Sequence, residues 1–325
     1  LIGAGLFARG TLLPALRKID GIQPGGVATA TGTSGSHIGR KFEFEYCTTD
    51  YRQLLDDEGI DCVVIATRHN LHAPQVIESL EKGKDVFVEK PLALSGEELE
   101  SIVRVYREHP RLLMVGYNRR FSPHCRWVRE KLEPRTGPLV LHCRVNAGSV
   151  PVASWVRHEG EGGGRIIGEV GHFIDTIQFL TGSLPIRVFA ERISDPSSPA
   201  DQDDNVIITL AMGDGSIGSI LYTSGGDKSF PRERFEIYGG GAVSLIDNFR
   251  LATFTRAGKT KKFKKMNIDR GHDKELSSFI RAVKGETPPP VAMEEYIYTS
   301  AATFAIEESL RKRTPIDLDI SAFLE

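Results

Sequence analysis

Leu1-Ile2-Gly3-Ala4-Gly5-Leu6-Phe7-Ala8 opens the chain. Two apolar residues run into a Gly3-x-Gly5-x-x-Ala8 spacing, which reads as strand end, tight turn and helix start. The first glycine permits the turn. The second lets the backbone approach a pyrophosphate, and the small third residue lets the helix pack on the strand. The N-terminus of that helix faces the anion. Gly3, Gly5, Leu6, Phe7 and Ala8 are therefore candidate cofactor contacts. A glycine spacing alone is a weak signal, so its surroundings decide.

Downstream, strand and helix patterns alternate. Strands are predicted over Gly26–Thr31, Cys62–Thr67, Asp85–Glu89 and Leu112–Gly116. Helices are predicted over Ser36–Phe42, Tyr51–Glu58, His72–Lys82 and Ser95–His109, the last opened by a Ser95/Glu98 capping box. Such alternation predicts a doubly wound parallel sheet, an NAD(P)-binding Rossmann domain over 1–117 with a truncated first strand. Ligands bind beyond the carboxyl ends of its strands, at Gly3, Thr31, Thr67, Glu89-Lys90-Pro91 and Tyr117. No acid follows the second strand to hold a ribose 2′-OH. Thr31 and Thr33, with Arg40 and Lys41 close in sequence, tilt the cofactor choice between NAD and NADP toward NADP.

The 325 residues exceed one ordinary core. With 40% hydrophobic and 26% charged residues the chain is neither disordered nor collagenous. A formal charge of −2 argues against nucleic acid, and no apolar run is long enough for a membrane span. Four scattered cysteines, with no CxxC pair, point to a reduced, cytoplasmic chain. A start on leucine inside a strand implies residues upstream, either a few or a whole module.

The order GAGLFA, ATRHNLHA, GKDVFVEKPLAL, GYNRRFSP and GGG…GHFID resembles the glucose–fructose oxidoreductase/inositol dehydrogenase family, Gfo/Idh/MocA. The second half is similar to a branch in which this module follows a zinc-type dehydrogenase-like module. The resemblance implies an NAD(P)-dependent oxidoreductase acting on a secondary alcohol of a sugar, sugar derivative or cyclitol. It also implies a homo-oligomer assembled through the C-terminal sheet. Thr67, Arg68 and His72 fall in a family loop beside the cofactor, although Arg68 and His69 depart from its usual Thr-Pro-Asn start. His69 and His72 lack a third ligand close in sequence, so no metal is assigned.

After residue 117 the pattern changes. Hairpins are expected around Gly213-Asp214-Gly215, Gly239-Gly240-Gly241 and Ala257-Gly258. With helices over Gly168–Thr181, His272–Lys284 and Glu294–Arg313, residues 118–325 read as an α+β substrate and oligomerisation domain. Its sheet is open and mostly antiparallel. Lys259, Lys261, Lys262, Lys264 and Lys265 read as an exposed edge hairpin.

Lys90 sits at the mouth of the sheet, where an ammonium can steady a developing alkoxide. Glu89 and Lys90 also fall on the cofactor side. On resemblance, His172 is the family's acid/base histidine, a role that suits an imidazole titrating near working pH. The family's usual acid four residues earlier is replaced by Gly168. Glu169, three residues from His172, is therefore the candidate third catalytic group, with a structural role as its competitor. Asp175 reads as structural. Tyr117, Arg119, Trp155, Arg165 and His172 are candidate substrate contacts, Arg165 for a carboxylate or phosphate. Two rivals remain: a nucleotide-binding module without turnover, and a variant that uses bound NAD for elimination or hydrolysis.

Overall fold

A computed structural model describes residues 1–194 and 204–324. The chain divides into two compact units, Leu1–Gly116 with His272–Met293, and Tyr117–Gly271 with Glu294–Glu325. A single cut after residue 117 therefore misses the return of one segment. The helix His272–Val283 belongs to the first unit, where Phe279 meets Phe87 at 5.7 Å and Lys18 pairs with Asp273.

In the first unit the strands are β1 (Gly26–Ala28), β2 (Tyr46–Thr48), β3 (Cys62–Ile65), β4 (Asp85–Val88) and β5 (Leu113–Val115). β1 pairs with β2, β3 with β4, and β4 with β5, all in parallel. Ile2 bridges the two groups, parallel to Ala28 on one side and Ile65 on the other. The order is thus β2-β1-Ile2-β3-β4-β5, the doubly wound arrangement, and its switch point falls at the turn after Ile2. Helices over Gly32–Phe42, His72–Glu81 and Gly96–Glu108 connect these strands. Ser95 caps the last by accepting from the Glu98 amide, and the Glu98 carboxylate reaches back to the Leu94 amide.

The second unit carries a nine-stranded sheet: β6 (Val140–Asn146), β7 (Pro185–Arg192), β8 (Asn205–Met212), β9 (Ile217–Thr223), β10 (Glu233–Gly239), β11 (Ala242–Asp247), β12 (Leu251–Arg256), β13 (Lys259–Lys264) and β14 (Ile316–Asp317). Their order is β13-β12-β11-β10-β6-β9-β8-β7-β14. Every pair is antiparallel except β6 with β9. Alternation along the strands sends Leu141, Cys143, Ile208, Ile220, Phe235 and Ile237 inward, against Phe173, Ile174 and Ile177 of the helix Gly171–Thr181. The lysine-rich β13 is an edge strand with its lysines exposed.

Candidate active site

In the first unit the glycine turn is built as the spacing requires. Gly3 has φ +85°, and a Cβ there would lie 2.6 Å from the Ala66 carbonyl oxygen, so this position takes only glycine. A Cβ on Gly5 would meet nothing within 4 Å. The backbone there faces open space, as a turn that receives a pyrophosphate must. Ala8 is buried and starts a π-helical turn, Ala8–Leu12, while Leu6 and Phe7 stand exposed at its lip. These residues fit a dinucleotide.

At the next strand end, Thr31 and Thr33 are exposed at the start of the helix Gly32–Phe42. No acid stands there. Arg40 and Lys41 lie in the last turn of the same helix. That is about 14 Å along the axis from Thr31 at 1.5 Å per residue. The basic pair expected beside a 2′-phosphate is thus carried to the far end.

After β3, Thr67 donates to Gln75 at 2.8 Å and Arg68 is exposed. His72 differs from its expected place along the cofactor. It is fully buried, and its Nδ1 lies 2.7 Å from the Pro91 carbonyl oxygen, so it braces the Glu89-Lys90-Pro91 turn. Burial lowers its pKa from 6.5 to about 4, with Lys90 acting in the same direction. The native fold therefore prefers neutral His72. Its contribution is whole above pH 6.5 and is lost as pH falls toward 4, a loss of about 3 kcal/mol. Replacing His72 by Asn is expected to flatten the acid limb of urea-unfolding stability by about that amount.

Following β4, Glu89 is buried and Lys90 is half-buried. Burial pushes the Glu89 carboxyl up to about 7, against the opposing pull of Lys90.

In the second unit, a π-helical turn Ile166–Val170 runs into the helix Gly171–Thr181, with His172 in its first turn. The His172 ring meets Tyr117 edge-on at 5.9 Å. Gly171 makes room for this contact, since a Cβ there would lie 3.1 Å from the Tyr117 hydroxyl. Tyr117 is buried core rather than a sugar-facing wall. Asp175 has the structural role expected of it. Arg120 donates to both its oxygens at 2.7–3.0 Å and also pairs with Glu295. Burial raises Asp175 to about 6, and Arg120 opposes that rise.

Arg119 and Arg165, expected on substrate, are both buried and engaged within this unit. Arg119 donates twice to Glu233, at 2.7 and 3.1 Å, with its guanidinium over the Phe173 ring. Arg165 donates to the Tyr222 hydroxyl at 2.7 Å and to Glu169 at 3.4 Å. Glu169 Oε2 accepts from Tyr222 at 2.8 Å and from Arg232 at 3.1 Å as well. This oxygen is committed to the cluster above β9 and β10, which is a bracing arrangement. Trp155 lies half-buried in the turn Trp155–Arg157. Tyr222, Arg232, Glu233 and Arg270 escaped the sequence reading, because their partners are distant in the chain and no spacing marks them.

Comparison with known proteins decides the family. Residues 1–117 match the oxidoreductase family with NAD-binding Rossmann fold, and residues 137–242 match the GFO/IDH/MocA C-terminal domain. The chain belongs to the Gfo/Idh/MocA oxidoreductase family. It is 26% identical over 289 residues to the uncharacterized oxidoreductase YrbE of Bacillus subtilis, covering 85% of this chain and 84% of that one. It is 24% identical over 291 residues to the myo-inositol 2-dehydrogenase of Thermotoga maritima, covering 86% of each. The fold is that of a levoglucosan dehydrogenase solved with NADH and levoglucosan, with a TM-score of 0.82, 23% identity and 98% of each chain covered. Membership of an NAD-binding oxidoreductase family agrees with the open glycine turn at the switch point.

Proposed function

We propose that this Gfo/Idh/MocA member is an NAD(P)-dependent dehydrogenase acting on a secondary alcohol of a sugar, sugar derivative or cyclitol. The observation that carries the reading is the Gly3–Gly5 turn, open at the switch point of a parallel sheet that also presents Glu89 and Lys90 at a strand end. The nicotinamide, when bound, supplies the hydride acceptor. Gly3, Gly5 and Ala8 hold the pyrophosphate, with Thr31, Thr33, Thr67 and Arg68 along the rest of the nucleotide. The Lys90 ammonium steadies the substrate oxygen as its charge grows. His172 takes the hydroxyl proton at its imidazole. Glu169 braces the start of the His172 helix, and no carboxylate is assigned to the chemistry.

A panel of inositols, aldoses and anhydrosugars tested for NAD(P)+ reduction checks the proposal. Turnover that disappears in Lys90→Ala supports it. Tight NADH binding with no turnover on any polyol would favour the nucleotide-binding module instead.

Residues 31–36, at the Thr31 end of the nucleotide path, carry no acidic or basic side chain. NADH and NADPH are therefore expected to bind within ten-fold of each other. Calorimetry showing a larger preference, beyond about 1.4 kcal/mol, would mean that another group reads the 2′ position.

We also propose a homo-oligomer through the outer face of the nine-stranded sheet. Val140, Ile207, Ile217, Tyr238 and Val243 are exposed on its strands. No helix among the described residues is long and apolar enough to cross a membrane. The free thiols of all four cysteines support a reducing, cytoplasmic setting.

A further inference from the structure

In the second unit four arginines, two of them paired with Glu169 in the turn before His172, outnumber the carboxylates they pair with. Arg119, Arg165, Arg232 and Arg270 pair with just two acids, Glu169 and Glu233, among the described residues. Glu233 is fully buried and shared by three of them. The Tyr222 hydroxyl adds a hydrogen bond but no charge. Counted by ion pairs, four guanidiniums share two carboxylates, and Asp204, itself paired with Arg157, adds its field at Arg165.

The four arginines differ in access. Arg119 and Arg165 are sealed, with side chains 8% and 2% exposed. Arg232 is 39% exposed and Arg270 is 24% exposed, and both approach the same Glu233 oxygen, at 3.6 and 3.0 Å. Only Nε of Arg270 is taken by Glu233, so both of its terminal nitrogens keep their donors. Burial lowers the Arg270 pKa, and the neighbouring Arg119 and Arg232 add to that. Arg232 also reaches Glu169, which stands three residues, or one helical turn, before His172. Arg232 is therefore tied to the helix start that presents His172, and Arg270 meets Arg232 at the shared Glu233.

We propose that Arg232 and Arg270 receive an oxyanion carried by the substrate, so that the alcohol oxidised here belongs to an acidic sugar: a sugar acid or a sugar phosphate. A guanidinium fork matches either group bidentately. The anion would add a further negative charge to the two carboxylates that the four guanidiniums share. The expectation first attached to Arg165 thus moves to Arg232, because Tyr222 and Glu169 have already taken Arg165. This inference rests on the proposed dehydrogenase reading for the identity of the molecule, but binding of the anion can be measured without turnover.

The test titrates the NADH-loaded protein by calorimetry with D-glucuronate and D-galacturonate, with D-glucose 6-phosphate, and with neutral glucose and galactose. At least one anionic ligand is expected to bind ten-fold or more tightly than its neutral counterpart. That advantage should fall to less than three-fold in Arg232→Gln, while NADH affinity holds. Arg270→Gln, which leaves the Glu169 contact in place, should weaken the same ligand and so guards against misfolding of the first variant. Preference for a uronate assigns a carboxylate, and preference for the phosphate assigns a phosphate ester; both support the proposal. Equal binding of charged and neutral sugars overturns it, as does an anion preference that survives both substitutions. Turnover of neutral polyols without anion preference would defeat this inference and leave the dehydrogenase reading intact. Arginine-dependent anion binding without any NAD(P)+ reduction would do the reverse.

Discussion

Replacing Lys90 by Ala is expected to lower kcat by about a hundred-fold or more, the scale at which removing a preorganised donor to a developing oxyanion acts. Lys90 follows the buried strand β4, and its side chain is half-buried on a turn braced by His72 at the Pro91 carbonyl. A surface lysine at a turn would cost nothing when truncated. NADH affinity should change little, because the glycine turn is untouched. His172→Ala should instead remove a limb of the pH–rate profile near neutrality. Steady-state kinetics on the two variants separates the roles. Unchanged kcat in both would place the chemistry elsewhere.

Glu233→Gln is expected to cost about 3–5 kcal/mol of folding stability, the range for removing one partner of a buried charge network. Burial by itself would push the Glu233 carboxyl up, but Arg119, Arg270 and Arg232 hold it below the usual range. Neutralising it leaves guanidiniums in a buried setting without their shared counter-charge. The control lies three residues on. Glu236 pairs with Arg234 on the exposed face of the same strand, at 2.8 Å. Glu236→Gln should cost less than about 1 kcal/mol. Chemical unfolding of both variants reads the difference, and equal costs would mean that the cluster contributes no more than a surface pair.

Much of this architecture is legible in the sequence. The Gly3–Gly5 spacing, the strand patterns and the three glycine hairpins depend on local rules, namely backbone conformations open to glycine and side-chain alternation along strands. β2 escaped notice because three residues, Tyr46–Thr48, carry too little periodicity. The return of His272–Val283 to the first unit was equally hidden. An amphipathic pattern tells that a face is buried, not which core buries it.

The polar side chains were the least legible part. Arg119 meets Glu233 across 114 positions, and Arg165 meets Tyr222 across 57. Each arginine alone read as a ligand contact, and only the fold shows that their charges are spent on Glu233 and Glu169. His72 shows the same limit. Its place in a family loop suggests the cofactor, yet it is buried and its partner is a backbone carbonyl.

Nucleotide binding at the glycine turn is tested most directly by calorimetric titration of NADH into the wild-type chain and Gly5→Val. A Cβ at position 5 meets no protein atom within 4 Å, so the substitution should leave the fold intact and fill only the space where a pyrophosphate would lie. The wild type is expected to bind NADH, with affinity falling at least a hundred-fold in a folded Gly5→Val protein. Equal affinity in the two proteins would contradict the account, because the nucleotide would then lie away from the turn on which the reading of the whole chain begins.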